Sequence, residues 1–160
     1  MNQMFNVACV QTTAGPNISI NIASAKALVR DAHESGANLI VLPEVTNIIE
    51  MDRAALAEKL TLEADDTALA AFCALAVELK VWLLIGSLAL MHETAINSKG
   101  KPKFVNRSFL IGDDGIVRNR YTKIHCLMLI LELENATRNQ VHMSQEIRQF
   151  WQIRRGVNLG

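Results

Sequence analysis

At 160 residues, half of them hydrophobic, the chain is long enough to bury the core of one domain and too apolar for general disorder. Sixteen basic residues balance sixteen acidic ones, so the chain lacks the basic surplus with which proteins meet nucleic acid or an anionic membrane; a small-molecule partner stays open. The start, MNQMFNVACVQTT, has neither the basic patch nor the apolar core of a signal peptide, and no stretch reaches the roughly 18 apolar residues of a membrane span. Cys9, Cys73 and Cys126 are scattered and odd in number, and His33, His92, His125 and His142 show no metal-ligand spacing. A cytoplasmic chain with reduced thiols, no metal and no cofactor is expected.

Phe5 to Gln11 reads as a buried strand, with Val7 and Cys9 packing tightly, and Thr12-Thr13-Ala14-Gly15-Pro16 as the turn that ends it. Asn17 or Ser19 can cap the next helix, whose apolar positions Ile22, Ala25, Leu28, Val29 and Ala32 recur at three and four residues; Gly36 stops it. Leu39 to Leu42 is a continuous apolar run, expected to be a strand buried on both faces, and Pro43 and Glu44 end it. The strand-helix-strand unit so formed predicts a parallel pair.

A short helix over Arg53 to Leu60 and an Ala-rich helix over Asp66 to Leu79 follow, the latter opened by the capping run Asp65-Asp66-Thr67. Cys73 lies among its apolar positions as an inert thiol. Val81 to Leu90 is the third strand, Phe104 to Ile111 the fourth, Asp113-Asp114-Gly115 a hairpin turn and Ile116 to Tyr121 the fifth. The hairpin departs from a simple doubly wound fold, so the class is α/β with a mixed sheet and helices on one face.

Glu44 stands at the carboxyl end of a strand, where α/β proteins collect ligands and catalytic groups; it can equally be a cap for the helix that follows. Lys123, in RYTKIH, is by itself one more solvated charge at a strand end. If the two meet, the carboxylate can act as general base and the ammonium can stabilise an oxyanion. Such a pair still needs a nucleophile.

The succession VACVQ, LIVLPE, IGSLAL, NRSFLI, a DDG turn and RYTKIH resembles the nitrilase, or carbon-nitrogen hydrolase, superfamily over residues 1–125. The resemblance implies the amino-terminal part of a four-layer α-β-β-α sandwich. It also implies a Glu-Lys-Cys triad that hydrolyses nitriles or, more commonly, amides through a thioester, with Glu44 matching the base and Lys123 the oxyanion-stabilising lysine. The KIH element resembles the branch of ω-amidases and deaminated-glutathione amidases. It further implies a small linear amide as substrate and a homo-oligomeric parent enzyme. A carboxylate in an enclosed apolar site can have its pKa raised enough to take the thiol's proton.

The family's cysteine sits well beyond the lysine, on an elbow reading CYD, and nothing after Lys123 matches it. Cys126 follows the lysine by three residues on the same segment, and Cys9 and Cys73 fall within a predicted strand and helix. No residue of this chain is assigned as nucleophile. The tail from Cys126 to Gly160 contains no lysine, aspartate or proline, where the resemblance calls for LFDVDL after KIH. Losing one base after the isoleucine codon converts a family-like reading into His-Cys-Leu-Met, and back-translation in the other frame permits FDVDLG. Residues 126–160 are therefore expected to be a frame-shifted tail, with Gln145 to Arg155 a short amphipathic helix. Two alternatives to an inactive hydrolase fragment are a non-catalytic binding module and a fragment too incomplete to fold stably.

Overall fold

The computed structural model describes residues 5–96 and 102–123, all within one compact unit that ends at Cys126. The expectations for Cys126, His125, His142 and the tail lie outside the described residues. Five strands, β1 (Val7–Cys9), β2 (Leu39–Leu42), β3 (Trp82–Ile96), β4 (Pro102–Ile111) and β5 (Val117–Thr122), form one sheet in the order β1-β2-β3-β4-β5. The first three are mutually parallel; β4 runs antiparallel to β3, and β5 to β4. The mixed sheet predicted from the hairpin is present, and β5 returns parallel to β2, so the carboxyl ends of β2 and β5 share one edge of the sheet.

Helices α1 (Ile18–Glu34) and α3 (Thr67–Leu79) build the core against one face of this sheet. Ala25 and Val29 of α1 and Leu69, Phe72, Leu75 and Ala76 of α3 join Ile40, Leu42, Leu83, Ile85, Leu88, Leu90, Phe109 and Ile111 in a single buried cluster. Asn17, the first of the two expected caps, opens α1 by accepting from the Ile20 N–H at 3.2 Å. Gly36 follows its end at φ +88°, a left-handed geometry that glycine adopts without a Cβ penalty. Asp66 caps α3 through the Leu69 N–H at 2.7 Å. The short helix α2 (Arg53–Lys59) starts at Asp52, whose carboxylate accepts from Ala54 and Ala55. A 3-10 turn at Glu63–Asp65, not predicted, leads into α3.

Two strand expectations need correction. In β2 only Ile40 and Leu42 are fully buried, while Leu39 and Val41 are half-buried, so the strand alternates although its sequence does not. In β1, Val7 is 52% exposed and Cys9 is exposed; the strand is three residues long and lies at the edge of the sheet. The cause is shared. Alternate residues face the side of the sheet opposite the α1–α3 core, and an apolar run cannot reveal which of its faces will be covered.

Candidate active site

Pro43 ends β2: it has no N–H to contribute to a ladder, and the chain leaves the sheet there. The departing loop is fastened to β3 at a bulge. Ile85 pairs with Phe109 and Leu88 with Arg107, so β3 carries one extra residue at Gly86–Ser87. That insertion lets Leu88 and Leu90 rejoin Ile85 in the core. It also turns Ser87 toward the loop, where its Oγ accepts from the Val45 N–H at 2.8 Å and its carbonyl accepts from the Thr46 N–H at 3.0 Å. A β-carbon on Gly86 would stand 2.6 Å from the Leu42 carbonyl oxygen, so only glycine permits this approach.

Asn47 extends the attachment, donating to the Ala89 carbonyl at 2.8 Å and accepting from its N–H at 2.9 Å. Asn21 of α1 holds Asn47 in turn, donating to its carbonyl at 2.9 Å. Asn21, Thr46, Asn47 and Ser87 are all buried, and their side chains are all hydrogen-bonded. Between these ties Val45 is held at φ +51°, a conformation costly for a β-branched residue and found where the surroundings over-determine the backbone. The strained residue follows Glu44 directly.

Glu44 reaches across the sheet edge to Lys123, the first residue after β5, and its Oε1 lies 2.7 Å from the Lys123 Nζ. Two strands separate the backbones, at about 4.8 Å per strand, so two long side chains are needed to close the gap. The Asn106 amide of β4 donates to the same Oε1 at 2.7 Å. The Glu44 side chain is 41% exposed and that of Lys123 25%. The capping alternative for Glu44 is thereby excluded, since Asp52 caps α2. The enclosed apolar setting expected for the carboxylate is not found, because Glu44 opens toward solvent and faces a cation. Lys123 follows β5, the exposed edge strand at the side of the sheet opposite β1.

Among the described residues no hydrogen bond joins Cys9 or Cys73 to the pair. Cys9 is exposed on β1, and Cys73 is half-buried on α3, whose packing partners lie on the sheet's other face. Burial pushes the Cys73 thiol up, with the Arg120 guanidinium opposing weakly, which suits an inert sulfhydryl. A second charged cluster joins Glu63 to Arg107 at 2.6 Å and to Arg120 at 2.5 Å, with Glu93 on Arg107 at 2.9 Å. Its two cations and two anions balance, and it ties the 3-10 turn to β4 and β5. Among the described residues no cluster of His, Cys, Asp and Glu is placed to hold a metal ion, and no helix is long and apolar enough to cross a membrane.

Sequence reasoning missed Ser87, Asn47 and Asn106. The glycine inside the IGSLAL strand carried a readable signal, since an isolated strand glycine marks a bulge or a close backbone approach. Asn106 carried none: one asparagine in a strand does not announce its partner.

A mixed five-stranded sheet with its helical layer on one face is the arrangement found in solved structures of the nitrilase fold. The Caenorhabditis elegans NitFhit protein superposes with a TM-score of 0.59 over 76% of this chain and 29% of its own, at 25% identity. Saccharomyces cerevisiae Nit3, a member of branch 10 of the nitrilase superfamily, does so with a TM-score of 0.61 over 76% of this chain and 44% of its own, at 22% identity. The sequence profile of the carbon-nitrogen hydrolase family matches residues 6–152, and the chain belongs to that family. The match runs past His125, where the motif correspondence ends. An N-carbamoylputrescine amidase of Solanum tuberosum is 41% identical over 44 residues, which are 28% of this chain and 15% of that protein. The chain spans less than half the length of each of these relatives.

Proposed function

We propose that the chain derives from an amidase acting on the non-peptide C–N bond of a small linear amide, with Glu44 as general base and Lys123 as oxyanion stabiliser. The observation that carries this reading is the 2.7 Å contact between two groups 79 positions apart in sequence, at the carboxyl ends of their strands. Family membership and amidase relatives support the reaction class. In the proposed chemistry the carboxylate takes the proton of a cysteine thiol, and sulfur attacks the amide carbon. Lys123 offsets the charge on the oxygen. The C–N bond then breaks as the amine leaves with the proton, and water cleaves the thioester. The free thiols of Cys9 and Cys73 suit a reducing, cytosolic setting.

As written, the chain is proposed to be inactive. Residues 127–160 contain no cysteine, so Cys126 is the sole thiol between Lys123 and Gly160. It follows Lys123 too closely to occupy a separate elbow. We attribute this to a frame-shift near codon 126. Sequencing the coding DNA tests the attribution: one added base there should open a frame leading to a CYD-type motif, and a frame that closes without one refutes it. With the frame restored, hydrolysis of small linear amides should appear and should be lost in Glu44→Gln.

A further inference from the structure

Asn106 touches both members of the pair. It is 5% exposed on β4, its Nδ2 donates to the Glu44 Oε1 at 2.7 Å, and its backbone carbonyl accepts from the Lys123 N–H at 2.9 Å. We propose that Asn106 is the positioning residue that holds Glu44 and Lys123 as one unit and selects which carboxylate oxygen acts as the base. This rests on the hydrolase reading of the pair.

The orientation of the amide follows from its neighbour. An ionised carboxylate only accepts, so the NH2 end must face Glu44; the flipped amide would set two acceptors 2.7 Å apart. That choice leaves the buried Oδ1 without a partner among the described residues. An amide serving only the fold would satisfy both of its ends, whereas this one is arranged for its nitrogen.

The division of labour with Lys123 is physical. An ammonium on a flexible four-carbon stem supplies charge but little direction, and its donors rotate freely. The Asn106 side chain has two torsions and springs from a strand pinned on both sides, to Ala89 of β3 and, through its carbonyl, to Lys123. It therefore supplies geometry. Both recorded contacts fall on Oε1 of Glu44. Oε2 is left as the oxygen that takes the thiol's proton.

The test uses the full 160-residue chain and needs no turnover. The Asn106 side-chain amide resonances are followed by heteronuclear NMR as pH is lowered through the carboxylate range, in the wild type and in Glu44→Gln. In the wild type they should shift in a single transition, and in Glu44→Gln that transition should be lost. The Lys123 backbone amide, bonded to the Asn106 carbonyl, should resist hydrogen exchange in both. A wild-type Asn106 amide indifferent to pH, a transition that persists in Glu44→Gln, or a freely exchanging Lys123 amide overturns the proposal. The hydrolase reading fails separately, if a frame-restored chain whose Asn106 responds to Glu44 hydrolyses no amide.

Discussion

Ser87 and Val45 show how a single residue sets the site. The hydroxyl of Ser87 satisfies the N–H of a residue held at φ +51°. Ser87→Ala leaves that donor unpaired and should cost about 1–3 kcal/mol, read as a lower denaturation midpoint at unchanged slope. Gly86→Ala drives a β-carbon into the Leu42 and Pro43 backbone and should cost a similar 1–3 kcal/mol, roughly the penalty of overpacking. The Glu44–Lys123 pair behaves oppositely. Both side chains are partly exposed, so Lys123→Gln should change stability by about 1 kcal/mol or less while removing the proposed oxyanion donor. A large loss of stability in that variant would mark the pair as a structural tie and not a reactive one.

At the scale of elements, every strand and α-helix of the described residues was legible in the sequence, because periodicity, caps and turns are local signals. Asn17, Gly36 and Asp66 act where they were expected, while the 3-10 turn, too short to show a period, was not seen. Less was legible wherever a neighbouring element decides. That β2 alternates and that Cys9 is exposed depend on which sheet face the helices cover. The bulge that lengthens β3 depends on the loop leaving β2. Of the candidate site, the strand-end positions of Glu44 and Lys123 were readable and their roles come from the resemblance, but Asn106 acquires its meaning only from partners 62 and 17 positions away.

Charge at the element scale also gives a pH dependence. Hydrogen bonds from Lys59, Arg30 and Arg107 hold the carboxyls of Glu50, Glu78 and Glu93 below the ordinary value of 4.5. A depressed carboxyl stabilises the fold above its unfolded pKa and loses that contribution as pH falls through the folded one. Asp66, raised by burial, works in the other direction: its contribution is present in acid and lost as pH rises through its folded pKa. Three groups outnumber one, so denaturant midpoints should fall as pH drops below about 4.5. The fall should flatten in high salt, because these ion pairs lie at the surface. A midpoint that rises on acidification would make Asp66 dominant.

For the whole molecule, the face of the sheet turned away from α1 and α3 is the open question of stability. Val7 is 52% exposed there, and its neighbours in register, Leu39 and Trp82, are only half-buried. Half-covered apolar sheet surface is an association surface. The purified chain should therefore self-associate with rising concentration in sedimentation, and Val7→Lys should shift it toward monomer. A monomer at all concentrations would show that this face needs no partner.

The proposed reading gives Glu44 and Lys123 the roles of base and oxyanion donor and assigns them no nucleophilic thiol within residues 1–160. Release of ammonia from small linear amides by the purified 160-residue chain, measured beside Cys126→Ala, tests it most directly. The account predicts no turnover in either protein; turnover by the chain as written that Cys126→Ala abolishes would contradict it.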